Sequence, residues 1–212
     1  MKYIAEFLGT FFLVAVVVGS GIMAENISGG NIGVALLGNT IPTGAILYVI
    51  IKMFGPISGA HFNPIVSFVF LLRKELVWSD FIKYTIIQIV GALFAIVITH
   101  YIFELSIWQV STNFRGEIPL FASEVLATCG LILTILFIRK SDESSVAVGV
   151  ALFITAGYWF TSSTSFANPA VTIARVFTNT FTGIAPASFL YFLFGQIAGS
   201  ILGYKIFNLF ES

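Results

Sequence analysis

Long apolar runs separated by short polar clusters set the pattern of this chain. A helix that spans a bilayer needs about 20 predominantly apolar residues. Six stretches qualify: 3–24, 32–54, 80–103, 119–138, 145–160 and 186–210. The fifth is short and takes its remaining length from its flanks. Two further apolar pieces, 63–72 and 168–178, are too short to cross. Each opens with Asn-Pro, at Asn63-Pro64 and Asn168-Pro169, after a run of small residues at 55–60 and 161–165. Asn at the cap and Pro at the first helical position make a helix start. The pattern therefore predicts two half-helices that begin inside the membrane.

Composition points to lipid as the solvent. Hydrophobic residues make up 58% of the 212 positions and charged residues 9%, where a soluble domain carries about 25% charge. Ten Lys and Arg balance ten Asp and Glu, which leaves no basic face for nucleic acid. The single cysteine, Cys129, excludes a disulfide within the chain and a cysteine metal cluster; no cofactor is expected. Lys2 and the apolar run after it have the look of a signal peptide. Glu6 interrupts that run, which reaches Ala24, so a retained first span is expected.

The cations orient the spans. With the N-terminus inside, Lys2, Lys52, Arg73, Lys74, Lys83, Arg139, Lys140 and Lys205 fall on the cytoplasmic side, and Arg115 and Arg175 fall outside. The positive-inside rule then gives a multi-pass protein with both termini cytoplasmic.

The chain is also a repeat. Ser58-Gly-Ala-His-Phe-Asn63-Pro-Ile-Val-Ser67 is echoed by Ser163-Thr-Ser-Phe-Ala-Asn168-Pro-Ala-Val-Thr172. Glu6 and Thr10 are echoed by Glu124 and Thr128, and Gln88 with Gly91 by Gln196 with Gly199. The expectation is one domain, 1–212, with halves 1–103 and 119–212 joined by an extracellular loop, 104–118. Each half holds three spans and one half-helix, so the second half lies inverted. Inverted repeats with broken helices place a site at the bilayer midplane. Irregular backbone at that depth is tolerated where it lines a wet cavity. Two half-helix N-termini there, each worth roughly half a positive charge, disfavour cations. Asn63 and Asn168 cap these helices; as pore residues they would also offer an amide N–H to a solute.

Gly59-Ala-His61-Phe-Asn63-Pro-Ile and Ala167-Asn168-Pro-Ala170, with Ala5-Glu6-Phe-Leu-Gly9-Thr10 in the first span, resemble the aquaporin and aquaglyceroporin superfamily. The resemblance covers essentially the whole chain. It implies an all-α membrane fold of six helices and two re-entrant half-helices, one pore per subunit, a homotetramer, and small neutral solutes as cargo. The pore motifs it implies are Asn63, Pro64 and Ile65 with Asn168, Pro169 and Ala170. Ile65 departs mildly, standing where the family has Ala. Val171 departs more, since the family usually places an Arg there to line the constriction. Carried over by counting, the remaining filter positions are Thr43, Ala156 or Gly157, and Ser165 or Phe166. Such a filter has neither fixed cation nor bulky wall and is expected to be wide. Val171 is shared with a bacterial arsenic-associated branch that this chain resembles. That implies arsenite, with methylated arsenicals, glycerol and water as further cargo.

Other polar residues have two readings each. Arg175 is either an outer-vestibule charge or a cation that snorkels or satisfies the half-helix's last carbonyls. Glu6 and Glu124 either brace the re-entrant loops or relay protons. His61 either faces the pore or ties down its loop. His100 is expected at the interface, Cys129 in helix packing, and Gly91 and Gly199 at close crossings. Competing functions are an ordinary water or glycerol channel and a proton-coupled secondary transporter. An enzyme is not expected, for no nucleophile with a base is apparent.

Overall fold

The computed structural model describes residues 1–211. The elements are α1 (Lys2–Ile27), α2 (Ile32–Ser58), α3 (Pro64–Leu72), α4 (Trp78–Ile102), α5 (Ile118–Ser141), α6 (Val146–Phe160), α7 (Pro169–Val176) and α8 (Pro186–Leu209), with a 3-10 turn at Glu143–Ser145. Six are long and apolar enough to cross a membrane, α6 together with that turn; α3 and α7 are the short ones. In lipid every backbone group must pair internally, so the apolar runs become helices and local chemistry sets their ends. Asn31 Oδ1 accepts from Val34 N at 3.1 Å to cap α2, and Pro64 and Pro169 open α3 and α7 behind capping asparagines. Beyond the expected span of 32–54, α2 continues through Gly55 and Pro56 to Ser58 and stops at Gly59, which takes a left-handed φ of 83°.

The long helices pack in the order α4, α1, α2, α6, α5, α8. The half-helices α3 and α7 fill the space between α8 and α4, each packing on both. Two glycines allow the tight crossings. A Cβ at Gly91 would lie 2.6 Å from Phe7 O, and one at Gly199 2.5 Å from Val125 O, so α4 meets α1, and α8 meets α5, backbone to backbone. Phe94, Leu126, Leu152 and Phe194 are exposed on the bundle's flanks, as a surface covered by lipid requires.

Both termini lie at one face, each tied to residues about the α3–α4 connection, by Lys2 Nζ and Tyr3 OH on Asp80 at 2.7 Å each and by Arg73 with Glu211 at 3.3 Å. At the opposite face the segment after α4 pairs with the segment after α7, Ser111 N on Val176 O at 2.9 Å and Ala185 N on Asn113 O at 2.8 Å. His100, expected at an interface, is fully buried there. Its Nδ1 lies 2.8 Å from Ile107 O and its Nε2 2.8 Å from Thr178 Oγ1, so it joins α4 to both segments.

Candidate functional site

Two buried carboxylates shape the re-entrant loops. Glu6 on α1 accepts from Ser58 Oγ at 2.6 Å, His61 N at 3.0 Å, Phe62 N at 2.7 Å and Gln88 Nε2 at 2.8 Å. Glu124 on α5 accepts from Phe166 N at 3.0 Å, Ala167 N at 2.9 Å and Gln196 Nε2 at 2.7 Å. The two glutamines also donate to α3 and α7, at Ser67 Oγ (3.1 Å) and Thr172 Oγ1 (2.8 Å). The loops need this support because Ala60, Phe62, Ser165 and Ala167 all take left-handed φ, between 46° and 52°. That conformation costs a non-glycine residue roughly 1–2 kcal/mol. Neither carboxylate lines the cavity described below; both are occupied in bracing.

The asparagines sit where those loops meet. Asn63 Oδ1 accepts from Ile65 N at 2.9 Å while its Nδ2 donates to Ala167 O at 2.7 Å. Asn168 Oδ1 accepts from Ala170 N at 3.0 Å and Val171 N at 3.4 Å while its Nδ2 donates to Phe62 O at 2.9 Å. Each amide carries two hydrogens, so one crosses to the other loop and one remains. Pro64, Ile65, Pro169 and Ala170 are buried at the helix starts, with the larger Ile65 absorbed into the core.

A cavity of about 700 Å³ runs past both asparagines. At the termini face it is lined by Lys52, Arg139, Glu143 and Ser144, and in the middle by His61, Asn63 and Asn168. Its wall is otherwise mostly apolar, with Leu13, Val17, Leu47, Ile135 and Val150 among its members. His61 combines both of its readings: Nδ1 lies 3.0 Å from Ser67 Oγ, and the ring lines the cavity beside Phe70.

The far end of the cavity is formed by Thr43, Tyr158, Ser165, Phe166, Val171 and Arg175. Three expectations need correction here. First, α6 contributes Tyr158, whose hydroxyl lies 3.2 Å from Thr43 Oγ1. Ala156 is exposed on the outside of α6, and Gly157 stands behind Ser165, where a Cβ would fall 2.6 Å from the Ser165 Cβ and Oγ. Helix rotation, which counting back from a motif does not supply, decides this. Second, Arg175 is not a vestibule charge and does not snorkel. It is 2% exposed, and the last α7 carbonyls are taken by Ile184 N on Arg175 O (3.0 Å) and Ser111 N on Val176 O (2.9 Å). Side chains on a helix lean toward its N-terminus, so a long arginine one turn past Val171 reaches back beside it. Third, the end of the cavity is therefore neither free of cation nor free of bulk. Tyr158 carries no motif in the sequence, and a count that stops at Ala156 or Gly157 misses it by one residue.

Six crossing helices in two inverted halves, with capped half-helices meeting on a cavity, define a membrane channel. Comparison with known proteins agrees. Residues 1–144 match the family described as Major intrinsic protein. The chain is 46% identical over 200 residues to the aquaglyceroporin AqpS of Rhizobium meliloti, covering 94% of this chain and 85% of that one. It is 29% identical over 215 residues to aquaporin NIP2-3 of Zea mays, covering 98% and 68%. Its fold is similar to an aquaglyceroporin structure from Plasmodium falciparum, with TM-score 0.71 and 22% identity over 99% of this chain and 93% of the other. The chain belongs to the major intrinsic protein family. It is an integral membrane protein and a passive channel for small solutes, not an enzyme.

Proposed function

We propose that the protein conducts small uncharged hydroxylated solutes: glycerol, water and arsenite, with methylated arsenicals as further cargo. Arsenite is an uncharged trihydroxy molecule at neutral pH and approximates a small polyol in shape. The observation that carries the reading is the pair Asn63 and Asn168, each with an amide hydrogen to spare, midway along a mostly apolar cavity. A polyol can follow those donors with its hydroxyls while its carbons slide along the apolar wall. An ion would lose its hydration without replacement, and cations also meet two helix N-termini. The resemblance to relatives named aquaglyceroporin supports the polyol component. Val171 supports the arsenical component, as an apolar wall where the family usually has an arginine.

The working unit in this reading is a homotetramer with one pore per subunit and both termini in the cytoplasm. The gathering of Lys52, Lys74, Lys83, Arg139 and Lys140 toward the termini face supports that orientation. Stopped-flow swelling of liposomes carrying the purified protein tests the function, comparing water, glycerol, a larger polyol and arsenite. Entry of glycerol and arsenite is expected to be fast, unsaturable and indifferent to a proton gradient. Saturable uptake that follows the gradient would establish a coupled transporter instead. Val171→Arg places a second guanidinium beside Arg175 at the far end of the cavity and is expected to reduce arsenite and polyol flux sharply while largely sparing water.

A further inference from the structure

The far end of the cavity holds a guanidinium with unused donors. Arg175 Nε donates to Thr182 O, and the guanidinium carbon lies 3.5 Å from the Phe166 ring centroid. Among the described residues nothing accepts from Nη1 or Nη2, although the side chain is buried and lines the cavity. Ser165 also lines the cavity, but its Oγ is buried against Gly157 of α6 without a hydrogen-bond partner. Buried polar groups are nearly always paired. Unpaired guanidinium donors on the cavity therefore mark a place that a solute or water completes.

Arg175 is also held in place from a second segment. Arg115, between α4 and α5, donates through Nε to Gly183 O at 2.9 Å and through Nη2 to Phe181 O at 3.0 Å. Those carbonyls flank Thr182, the anchor of Arg175. Arg115 also lies 5.7 Å from the centroid of the same Phe166 ring. The strap 181–183 lies close against α1, for a Cβ at Gly21 would fall 2.3 Å from Thr182 Cγ2.

We propose that Arg175 is the specificity-determining cation at this end of the cavity, and that its Nη groups bind neutral solutes carrying two or more hydroxyls. Arg115 is a positioning residue that sets Arg175 through the strap. The inference rests on the channel reading and sharpens it. Two solute hydroxyls accept from the Arg175 Nη groups, while the carbon side lies against Val171. Guanidinium offers a planar fork that an ammonium does not, so the assignment is specific to arginine. The fixed charge also repels cations there.

The test uses the full-length protein in liposomes, reading glycerol flux, water flux and sodium leak together. Arg175→Met is expected to lower the glycerol-to-water ratio about threefold and to raise sodium leak about tenfold, the latter being about 1.4 kcal/mol of barrier. Arg175→Lys is expected to keep sodium out but to lose the glycerol preference. Arg115→Met is expected to lower the ratio by a smaller factor, and to add nothing in the Arg175→Met background. A merely structural Arg115 would lower folded yield alike in both backgrounds and leave the ratio where it was. Folded Arg175→Met with the parent ratio and leak overturns the proposal. If that variant does not fold, Arg175→Lys with the parent ratio overturns it equally. Native protein that moves no glycerol is a different result and removes the channel reading itself.

Discussion

Asn63 and Asn168 each bind the loop that carries the other. Asn63 Nδ2 donates to Ala167 O at 2.7 Å, and Asn168 Nδ2 donates to Phe62 O at 2.9 Å. The exchange locks two half-helices end to end, although they belong to different halves of the chain. It makes each asparagine at once a cap, a strut and a cavity wall, which limits what can replace it.

Asn168→Asp keeps an oxygen for Ala170 N but loses the donor to Phe62 O. The orphaned carbonyl is expected to cost roughly 1–3 kcal/mol of stability, read as a lower melting temperature in detergent. The new negative charge offsets the helix N-termini, so cation leak in liposomes is expected to rise. An unchanged leak would place the cation barrier elsewhere.

Glu124→Gln leaves one oxygen to serve Phe166 N and Ala167 N and turns an amide group toward them. The loss of charge-assisted bonds is expected to cost about 1.5–3 kcal/mol, and Glu6→Gln, its counterpart, a similar amount. Folded yield is expected to drop while the pH dependence of glycerol flux stays put. A well-folded variant that had lost proton-coupled transport would reverse the bracing assignment.

On α6, Ala156→Leu is expected to leave flux unaltered and to change stability by less than about 0.5 kcal/mol, because the residue is exposed. Gly157→Ala pushes a methyl into Ser165, which must move; a cost of roughly 1–3 kcal/mol is expected, with altered glycerol flux. Equal effects from the two variants would contradict the placement of Tyr158 at the cavity.

Glu75 sits between Arg73, at 2.6 Å, and Arg139, and Arg139 lines the cavity mouth. Burial alone would raise its pKa, but hydrogen bonds from Arg73 and Arg139 outweigh that and hold the carboxyl below its ordinary 4.5. A carboxylate depressed on folding stabilises the folded state above its unfolded pKa, and the contribution is lost as pH falls through the folded value. The melting temperature in detergent is expected to fall below about pH 4.5, and Glu75→Gln should make that acid limb shallower. An identical limb in the variant would show that this cluster does not contribute.

Much of the architecture was legible because lipid leaves few choices. A run of about 20 apolar residues must become a crossing helix, and Asn-Pro after small residues must start a short one. The repeated Glu6 and Glu124, Gln88 and Gln196, and Asn63 and Asn168 indicated two halves carrying the same groups. Their hydrogen bonds are equivalent because each set recurs in the same order along its half.

What the sequence could not decide was rotation and reach. A helix facing lipid on one side and apolar neighbours on the other carries little amphipathic signal, so nothing local distinguished Ala156 from Tyr158. His100 looked like a residue at the water boundary until Ile107 and Thr178, far apart along the chain, enclosed it. Arg175 was placed by its position along the helix, whereas its guanidinium is placed by Thr182 and Phe166, on segments that only folding brings beside it. The sequence by itself determined that the chain forms a two-fold repeated membrane channel, because hydrophobic length and capping act over a few residues. Which side chains meet at the far end of its cavity was decided by the tertiary structure, because that depends on helix rotation and long-range contacts that local patterning does not encode.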